Sequence, residues 1–310
     1  AQLFNDFLPQ EELLPIAQAA SRVFARLGEK RNRARARVKF LVANLGIDEF
    51  RRMVLEEREK LAADPRWTDY LSRLYEWTEK PLKPGVSLNG SERPAGFDAW
   101  HATNVYHQEQ PGYVVATVTL PLGDITADQL RALADIAPRF VKDTIRTTVE
   151  QNLVFRWVSE ADLPDFYKAL CQIGLGEPNA GTIVDVTACP GTDTCKLGIA
   201  SSRGLARKLR THLSEACLQL DEAVKGLRIK VSGCFNSCGQ HHIADIGFYG
   251  ISRNVNGYTV PHFQVMLGGK FKDNAGAYGL PVGAVPSKRI PEVVTLVTDR
   301  YVRERQRGES

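Results

Sequence analysis

Apolar side chains recur every three to four residues over residues 10–28, and this spacing predicts an amphipathic helix. The positions that share its apolar face are Ile16, Ala20, Val23 and Leu27. Gly28 is a natural stop for this helix, and the pattern resumes in a second helix that ends near Gly46. Asp48 is a candidate N-cap for a third helix, with the sequence EFRRMVLEEREKL. The front of the chain is therefore predicted to be helical.

The middle of the chain alternates between strand and helix patterns. Residues 113–120, YVVATVTL, predict a strand, and a helix with Thr126 or Asp124 near its start follows. Residues 144–158 are broken strand material, and residues 161–175 return to helical spacing. The resulting order of strand, helix, two strands and helix is most of a split-βαβ, ferredoxin-like sandwich.

The last part of the chain predicts an α/β unit. Residues 182–188 predict a strand, residues 199–216 a helix and residues 228–233 a second strand. Two further strands and a closing helix are predicted at residues 242–250, 262–269 and 291–305. The Pro, Gly and Ser content of residues 81–96 predicts a linker. The predicted organisation therefore has three parts, at residues 1–100, 101–178 and 179–310.

Composition and charge narrow the classes of protein. Of the 310 residues, 43% are hydrophobic and 25% charged, as in an ordinary globular protein. The net charge of +4 is mild and predicts no nucleic-acid partner, although it would suit an anionic substrate. No apolar run approaches the roughly 20 residues of a membrane span, and the first residues lack a signal-peptide pattern. Six cysteines without an export signal favour a reducing, cytoplasmic compartment, where thiols more often bind metals than form disulfides.

Four of the six cysteines form two pairs of unequal spacing. The first pair encloses five residues and the second encloses three; the pairs are Cys189 with Cys195 and Cys234 with Cys238. Each pair follows a predicted strand and is surrounded by Gly, Pro, Asn, Ser and Thr, which favour exposed, tightly turning backbone. Loops at strand ends are where an α/β sheet usually carries its functional residues. The remaining cysteines, which lie in helical patterns and are predicted to be small buried side chains, are Cys171 and Cys217.

The spacing alone leaves the bound group open. Structural zinc usually takes cysteines separated by two to four residues, so the second pair complies and the first is long. Disulfides conflict with a reducing compartment. A cubane iron–sulfur cluster needs four thiolates, and its spacing varies widely between folds. The pattern therefore favours a cluster, with zinc and no metal as the alternatives.

The segments TACPGTDTCKLGIASSRGLA and GCFNSCGQHHIADIGF resemble the C-x5-C and C-x3-C signature of the sirohaem-dependent sulfite and nitrite reductases. The segment IRTTVEQNLVFRWV resembles part of that family's second ferredoxin-like repeat. The similarity runs from about residue 100 to about residue 300, and residues 1–60 resemble, less sharply, the tail of the family's first half. It implies an α+β fold: a helical N-terminal segment, a ferredoxin-like repeat, and a mixed-sheet α/β domain for sirohaem and a [4Fe–4S] cluster.

The resemblance implies a redox enzyme. The cluster ligands that it implies are Cys189, Cys195, Cys234 and Cys238. The thiolate of Cys238 would also bridge to the sirohaem iron and is the catalytic residue. The implied reaction is the six-electron reduction of sulfite to sulfide or, alternatively, of nitrite to ammonia. We find no second cluster motif and no GxGxxG fingerprint, so electrons are expected from a ferredoxin or a flavoprotein subunit.

The same resemblance assigns residues to the surroundings of the cofactors. Those it places against the macrocycle, where an arginine would pair with the carboxylates of sirohaem, are Arg146, Thr148, Gln151 and Asn152. Asn236 is a candidate hydrogen-bond donor to the cluster, and the helix beginning near Ile199 would point its positive end there. His241 and His242 are interpreted as supporting residues, because the axial position goes to Cys238.

The chain also departs from the family. It resembles the second half of the known enzymes and carries only a remnant of the first. The basic residues that face the bound anion in the family come largely from that first half, which is therefore expected in cis or in trans. Two rival interpretations are an enzyme similar to precorrin-3B synthase and, in another class, a zinc-stabilised interaction module.

Overall fold

The chain divides into two compact units, residues 1–78 and residues 79–310. The computed structural model describes residues 2–76, 78–90, 92–142, 144–216, 220–270 and 276–306. Within these residues, no helix is both long enough and apolar enough to cross a membrane.

The first unit consists of helices around their own apolar core, which confirms the helical prediction. Helices α1, α2 and α3 span Leu13–Leu27, Val38–Leu45 and Ile47–Glu59. The buried apolar residues are Ile16, Ala19, Val23, Leu41, Phe50, Val54 and Leu61. Leu27, at the end of the predicted apolar face, is 43% exposed. Asp48 does not cap α3, because Gly46 holds the N-cap position and the Asp48 carboxylate pairs with Arg51 at 2.7 Å.

The second unit begins with a four-stranded antiparallel sheet, which confirms the ferredoxin-like prediction. Its strands are β1 (Val105–His107), β2 (Tyr113–Val118), β3 (Arg146–Thr147) and β4 (Leu153–Ser159). They lie in the order β1-β2-β4-β3, and helices α5 (Ala127–Phe140) and α6 (Leu163–Gln172) share their core. Thr126 caps α5: its hydroxyl accepts from the Gln129 N–H at 3.1 Å, and the Gln129 side chain accepts from the Thr126 N–H.

The region predicted as a linker at residues 81–96 contributes to this sheet domain. The Val86 N–H donates to the Ser159 hydroxyl at 3.0 Å, so this part of the chain docks on β4. Helix α4 (Phe97–Asn104), which the sequence analysis missed, follows directly. It buries two aromatic rings in the core, Phe97 and Trp100. The Pro, Gly and Ser content of residues 81–96 correctly indicates turning backbone, but it gives no sign of the buried Phe97 and Trp100 that follow.

The rest of the second unit is a five-stranded mixed sheet, which confirms the predicted α/β domain. Its strands, in sheet order, are β5 (Thr187–Ala188), β6 (Ile229–Ser232), β7 (Ile246–Val255), β8 (Tyr258–Leu267) and β9 (Leu280–Pro286). Strands β5, β6 and β7 are parallel, and β8 and β9 are antiparallel to their neighbours. The helices of this part are α7 (Ser202–Ala216), α8 (Glu222–Lys225) and α9 (Ile290–Glu304). The division predicted at residues 178 and 179 falls between α6 and β5 and stays a prediction.

The strand predicted at residues 182–188 is shorter than expected, because only its last two residues pair with β6. Asp185 explains the difference. Its carboxylate accepts hydrogen bonds from the Gly181 N–H at 2.9 Å and from the Asn152 amide at 2.8 Å. Its own N–H donates to the Thr182 carbonyl at 3.0 Å, so the backbone turns before β5 begins.

Candidate functional site

The two cysteine pairs lie at the same edge of the mixed sheet. Cys189 follows β5 directly, and Cys234 lies two residues beyond the end of β6. These strands are parallel neighbours in which Ala188 pairs with Val231, so their carboxyl ends meet at one edge. The Cys189 N–H donates to the Val231 carbonyl at 3.1 Å, which extends the pairing to the first cysteine. The structure thus confirms that both pairs follow strands and places their loops side by side.

Cys189 is buried and is held by several hydrogen bonds. Its Sγ accepts a hydrogen bond from the Gly233 N–H at 3.0 Å, and its carbonyl accepts one from the Ser202 hydroxyl at 2.7 Å. Ser202 is the first residue of α7, so that helix begins three residues later than predicted and its positive end lies beside Cys189. An N–H donor and a helix N-terminus both favour negative charge on sulfur. Cys189 is therefore well placed to be a ligand of an anionic metal cluster.

Glycines allow the two loops to touch. A Cβ on Gly233 would lie 2.6 Å from the Cα of Gly191, in the first loop, and 2.9 Å from the carbonyl oxygen of Ala200. The Gly233 carbonyl accepts from the N–H groups of Ile199 and Ala200, at 2.8 and 3.0 Å. Gly191 also has a φ of +55°, a left-handed conformation that favours glycine. The contact between the loops therefore depends on the absence of a side chain at Gly233, and a side chain at Gly191 would meet Ser202 at the start of α7.

The second cysteine of each pair differs from the first. Cys189 and Cys234 are buried, whereas the thiols of Cys195 and Cys238 are exposed. The Gly198 N–H donates to the Cys195 carbonyl at 3.0 Å and closes the turn that carries this residue. Each pair therefore offers one buried thiol near a strand end and one exposed thiol on a turn.

The two cysteines outside the pairs are Cys171 and Cys217. Cys171 was predicted to be buried, and this is wrong: it is exposed, because the core face of α6 is formed by other residues, Leu163, Phe166, Tyr167 and Leu170. Cys217 lies outside the described residues. In the part of the chain that the structure describes, no group of three or more His, Cys, Asp or Glu side chains is placed so that it could hold a metal ion.

His241 is a buried neighbour of the second pair. Its Nδ1 lies 2.8 Å from the Ser232 hydroxyl, and its buried Nε2 has no hydrogen-bond partner among the described residues. Burial, with a smaller contribution from His242, lowers the pKa of His241 to about 4, so the ring is neutral near pH 7. The ring packs against His242 and Tyr249, with centroid distances of 4.1 and 4.8 Å. This packing agrees with a supporting role.

Three of the residues expected beside the cofactors lie on exposed or turning segments. Arg146 is exposed on β3, and its guanidinium pairs with the carboxylate of Glu79. Thr148 shapes the turn between β3 and β4, where its N–H donates to the Asn152 carbonyl at 2.9 Å. Asn236 is exposed on the loop of the second pair. The Arg146 guanidinium thus pairs with a carboxylate of the chain itself, and its pairing with a sirohaem carboxylate stays a prediction.

Gln151 and Asn152 tie the first sheet to the strand that leads into the first cysteine pair. The Gln151 amide donates to the Ala188 carbonyl at 2.9 Å and accepts from the Ala188 N–H at 3.1 Å, so it pairs with β5 as a short strand would. The Asn152 amide donates to Asp185 at 2.8 Å and accepts from the Leu120 N–H at 2.8 Å. Both side chains therefore connect the first sheet to the segment that leads into Cys189. Contact between these side chains and a macrocycle stays a prediction.

Two buried charged residues, which the sequence did not indicate, lie on the segments that lead into the cysteine pairs: Asp185 before the first pair and Lys230 before the second. Lys230 on β6 is 2% exposed, and its ammonium donates to the Gln240 side chain at 3.2 Å. Burial lowers the pKa of Lys230, and burial raises the pKa of the Asp185 carboxyl. A pocket joins these two residues; it is lined by Glu150, Gly181, Asp185, Thr187, Arg228, Ile229 and Lys230. The sequence does show Lys230 between two apolar residues of a strand. Because side chains alternate between the two faces of a strand, this pattern places the lysine on the face of β6 that points away from the apolar core.

The chemistry of the two loops fits a [4Fe–4S] cluster. They follow neighbouring parallel strands at one edge of the sheet, each carries two cysteines, and a backbone N–H already donates to the sulfur of Cys189. The N-terminus of α7 adds a positive partial charge there, as an anionic cluster requires. Nε2 of His241, which has no hydrogen-bond partner in the part of the chain that the structure describes, is a further buried polar atom close in sequence to Cys238.

Family models cover most of the chain. The model of the "Nitrite and sulphite reductase 4Fe-4S domain" matches residues 1–62 and 179–310, more than half of the chain. The model of the "Nitrite/Sulfite reductase ferredoxin-like half domain" matches residues 106–173. The first match contains both cysteine loops, and the second contains most of the four-stranded sheet.

Individual relatives agree with these matches. The sulfite reductase [ferredoxin] of Mycobacterium tuberculosis is 31% identical over 317 residues, covering 100% of this chain and 52% of the relative. The chloroplastic ferredoxin–nitrite reductase of Spinacia oleracea is 26% identical over 308 residues, covering 96% of this chain and 47% of the relative. The solved structure of the Mycobacterium tuberculosis NirA protein matches with a TM-score of 0.75 and 28% identity, over 100% of this chain and 53% of that chain. The chain therefore spans about half the length of the curated relatives it matches.

Proposed function

Because this chain belongs to the nitrite and sulfite reductase family, we propose that it supplies the cluster-binding half of an assimilatory sulfite reductase. The observation that carries the proposal is the meeting of the two cysteine loops at the ends of β5 and β6, inside the family's 4Fe-4S domain. With sirohaem and the cluster bound, the enzyme would reduce sulfite to sulfide by six electrons.

The proposed cluster ligands have unequal roles. Cys189, Cys195 and Cys234 would hold the cluster, and Cys238 would hold it and also bridge to the sirohaem iron. The two buried thiols are fixed near strand ends, and the two exposed thiols lie on turns that can present them to a bound group. This arrangement supports a ligand set of two buried and two exposed thiols.

Two features of the chain would stabilise negative charge on the cluster. The Gly233 N–H donates to Cys189 Sγ, and the N-terminus of α7 lies beside the same residue through Ser202. Both are backbone groups, so neither loses a proton in the neutral pH range. We propose that they would stabilise the negative charge of the bound cluster, with Asn236 as a further donor.

The residues between β3 and β4 would serve the macrocycle and the strand at once. Arg146 would pair with a sirohaem carboxylate, as it now pairs with Glu79. Thr148 shapes the turn, while Gln151 and Asn152 fasten it to β5 and to the segment before it. We propose that this turn would help to hold the macrocycle while it stays fastened to the strand that leads to Cys189.

The remaining parts of the enzyme are proposed from its relatives. The substrate would be sulfite, bound with the help of a first half carried in the same or in a separate polypeptide. The electron donor would be a ferredoxin, which the names of the relatives include, or alternatively a flavoprotein subunit. The three-part division at residues 1–100, 101–178 and 179–310 is part of the same proposal.

Nitrite reduction to ammonia is the second candidate. It is favoured by the ferredoxin–nitrite reductase of Spinacia oleracea, which aligns with 96% of the chain at 26% identity. Sulfite stands first because the sulfite reductase of Mycobacterium tuberculosis is more similar, at 31%. Turnover of sulfite and of nitrite by the complete enzyme, with reduced methyl viologen as donor, distinguishes the two. A higher kcat/KM for nitrite would reverse the order.

The cluster itself is tested on this chain. Anaerobic expression is expected to give a brown protein with about four iron and about four sulfide per chain, since a cubane cluster contains four of each. Iron, sulfide, zinc and visible absorption are measured on the same sample. Stoichiometric zinc without visible absorption would overturn the proposal in favour of a zinc-stabilised module.

A further inference from the structure

Each of the three residues that follow Cys238 forms a hydrogen bond with a side chain of β6. The Gly239 N–H donates to the Ser232 hydroxyl at 3.1 Å, and the Gln240 side chain accepts from the Lys230 ammonium at 3.2 Å. Nδ1 of the third residue, His241, lies 2.8 Å from the same Ser232 hydroxyl. Two side chains of one strand thus hold three consecutive positions of the turn.

The turn needs such support because its backbone is unusual. Ser237 and Gln240, on either side of Cys238, have φ values of +60° and +61°. Left-handed conformations are unfavourable for residues other than glycine, and they persist where the surroundings hold them. The Gln240 N–H also donates to the Ser237 carbonyl at 2.8 Å, so the two unusual residues close one turn around the cysteine.

The supporting side chains are more buried than the cysteine they support. Lys230 is 2% exposed and Ser232 is 1% exposed, whereas Cys238 is exposed. Their neighbours on the strand, Ile229 and Val231, point into the apolar core, so the two polar residues share the opposite face of β6. Burying an ammonium group and a hydroxyl group is unfavourable unless hydrogen bonds replace water. The bonds to the turn supply such partners.

The turn of Cys195 is built in another way. The Cys195 N–H donates to the Gly191 carbonyl at 2.9 Å, and the Gly198 N–H donates to the Cys195 carbonyl at 3.0 Å. These are backbone bonds within the loop itself. A side-chain substitution on β6 that acts locally should therefore affect Cys238 and leave Cys195 unchanged, which gives an internal reference.

We infer that Lys230 and Ser232 are positioning residues for Cys238. Ser232 fixes the backbone immediately after the cysteine through Gly239, and Lys230 fixes the next residue through the Gln240 side chain. They set the direction in which the exposed thiol is presented, without touching a bound group themselves. The inference rests on the proposed function only in its statement that Cys238 is a ligand; the bonding of the turn is independent of that statement.

The test compares Ser232→Ala with the matched control Ser159→Ala. Ser159 is a buried serine whose hydroxyl also accepts a backbone N–H, from Val86, but in the other sheet. Amide hydrogen exchange of residues 237–241 and 191–198 is measured on the full chain without iron. Loss of one hydrogen bond is expected to speed exchange at Gly239 about fivefold in Ser232→Ala. Exchange at 191–198 should stay unchanged, as should both segments in the control.

Two further readouts separate positioning from general stability. Alkylation of Cys238 relative to Cys195 by iodoacetamide should change in Ser232→Ala and return to the wild-type ratio in Ser232→Thr, which keeps the hydroxyl. Lys230→Met, which removes the ammonium and keeps an unbranched side chain, should also change this ratio. Equal changes at both cysteines, or no change in exchange and ratio in either variant, would overturn the inference. The iron content of the wild-type chain is measured separately. A wild-type chain that binds no iron would contradict the cluster proposal and leave the inference about Lys230 and Ser232 to the exchange and alkylation results.

Discussion

The two cysteine loops leave neighbouring strands at one edge of the sheet, yet they are held by different means. The first cysteine loop, residues 189–198, is fixed by backbone hydrogen bonds, by close glycine contacts and by the start of α7. The second cysteine loop, residues 234–241, is fixed by buried side chains of β6. A thiol can therefore be positioned by the shape of the main chain, as in the first loop, or by buried polar side chains of a neighbouring strand, as in the second. Only the first of these leaves a clear mark in the local sequence.

The largest expected effect is the loss of the bound cluster. In Cys234→Ser, iron in the anaerobically prepared chain is expected to fall nearly to zero, because a serine oxygen is a poor replacement for a thiolate on iron. The matched control is Cys171→Ser, on the exposed side of α6, which should keep its iron. Iron content and visible absorption are the measurements. Equal iron in the two variants would mean that the second cysteine loop does not bind the cluster.

A methyl group between the loops should have the next largest effect. In Gly233→Ala, the new Cβ would lie 2.6 Å from the Cα of Gly191, and backbone atoms cannot move aside cheaply. We expect the free energy of unfolding to fall by about 3 kcal/mol, measured by denaturant unfolding. Gly283→Ala is the control, since a Cβ there meets no atom within 4 Å. Similar stability of the two variants would show that the loops do not touch as described.

The buried histidine of the second cysteine loop predicts a pH dependence of the free energy of unfolding. The pKa of His241 is about 4 in the folded chain, against an ordinary value of 6.5, chiefly because the ring is buried. Between these values the unfolded chain takes up a proton that the folded chain does not, so the free energy of unfolding falls as the pH is lowered. The loss from pH 6.5 to pH 4 is at most about 3 kcal/mol.

This prediction is measured by unfolding wild type and His241→Gln across that range. Above pH 6.5 the contribution of this residue should be constant. In the variant, the part of the slope that comes from the histidine should disappear. The other ring partners, His242 and Tyr249, are kept in both proteins. Identical slopes in the two proteins would contradict the burial and neutrality of His241.

The smallest effect concerns the brace from the first sheet. Gln151→Ala removes the amide that bonds both backbone groups of Ala188, and we expect a loss of about 1 kcal/mol in the free energy of unfolding. Gln172→Ala, at the exposed end of α6, is the control and should change stability by less than about 0.5 kcal/mol. If the loss in Gln151→Ala is no larger than in the control, the Gln151 side chain does not stabilise the strand that leads to Cys189.

Much of the fold follows from local pattern. The helix at α5 could be predicted from its periodicity and from Thr126, whose capping box with Gln129 involves neighbouring residues only. The hairpin of β3 and β4 and the cysteine loops likewise carry β-branched and turn residues in sequence. The helix α4 was missed, because its aromatic residues follow a segment whose composition indicates a linker.

The rest of the site depends on contacts between distant residues. Gln151 forms hydrogen bonds with Ala188, which lies 37 residues away in sequence. Asn152 forms one with Asp185, which lies 33 residues away. No local rule connects these positions. Lys230 shows the same limit, because a lysine in a strand is usually exposed, and its partner Gln240 lies ten residues away in the turn after Cys238. The sequence could therefore indicate the thiols but not the groups that support them.

The central claim is that both exposed thiols are cluster ligands together with the two buried ones. Alkylation of the anaerobically prepared chain by iodoacetamide, read by mass spectrometry, tests it most directly. With the cluster bound, Cys195 and Cys238 should be protected although their side chains are exposed in the structure, while Cys171 is labelled. After removal of iron by a chelator, Cys195 and Cys238 should become as reactive as Cys171. If they are labelled equally fast in the iron-loaded chain, they are not ligands and the account is wrong.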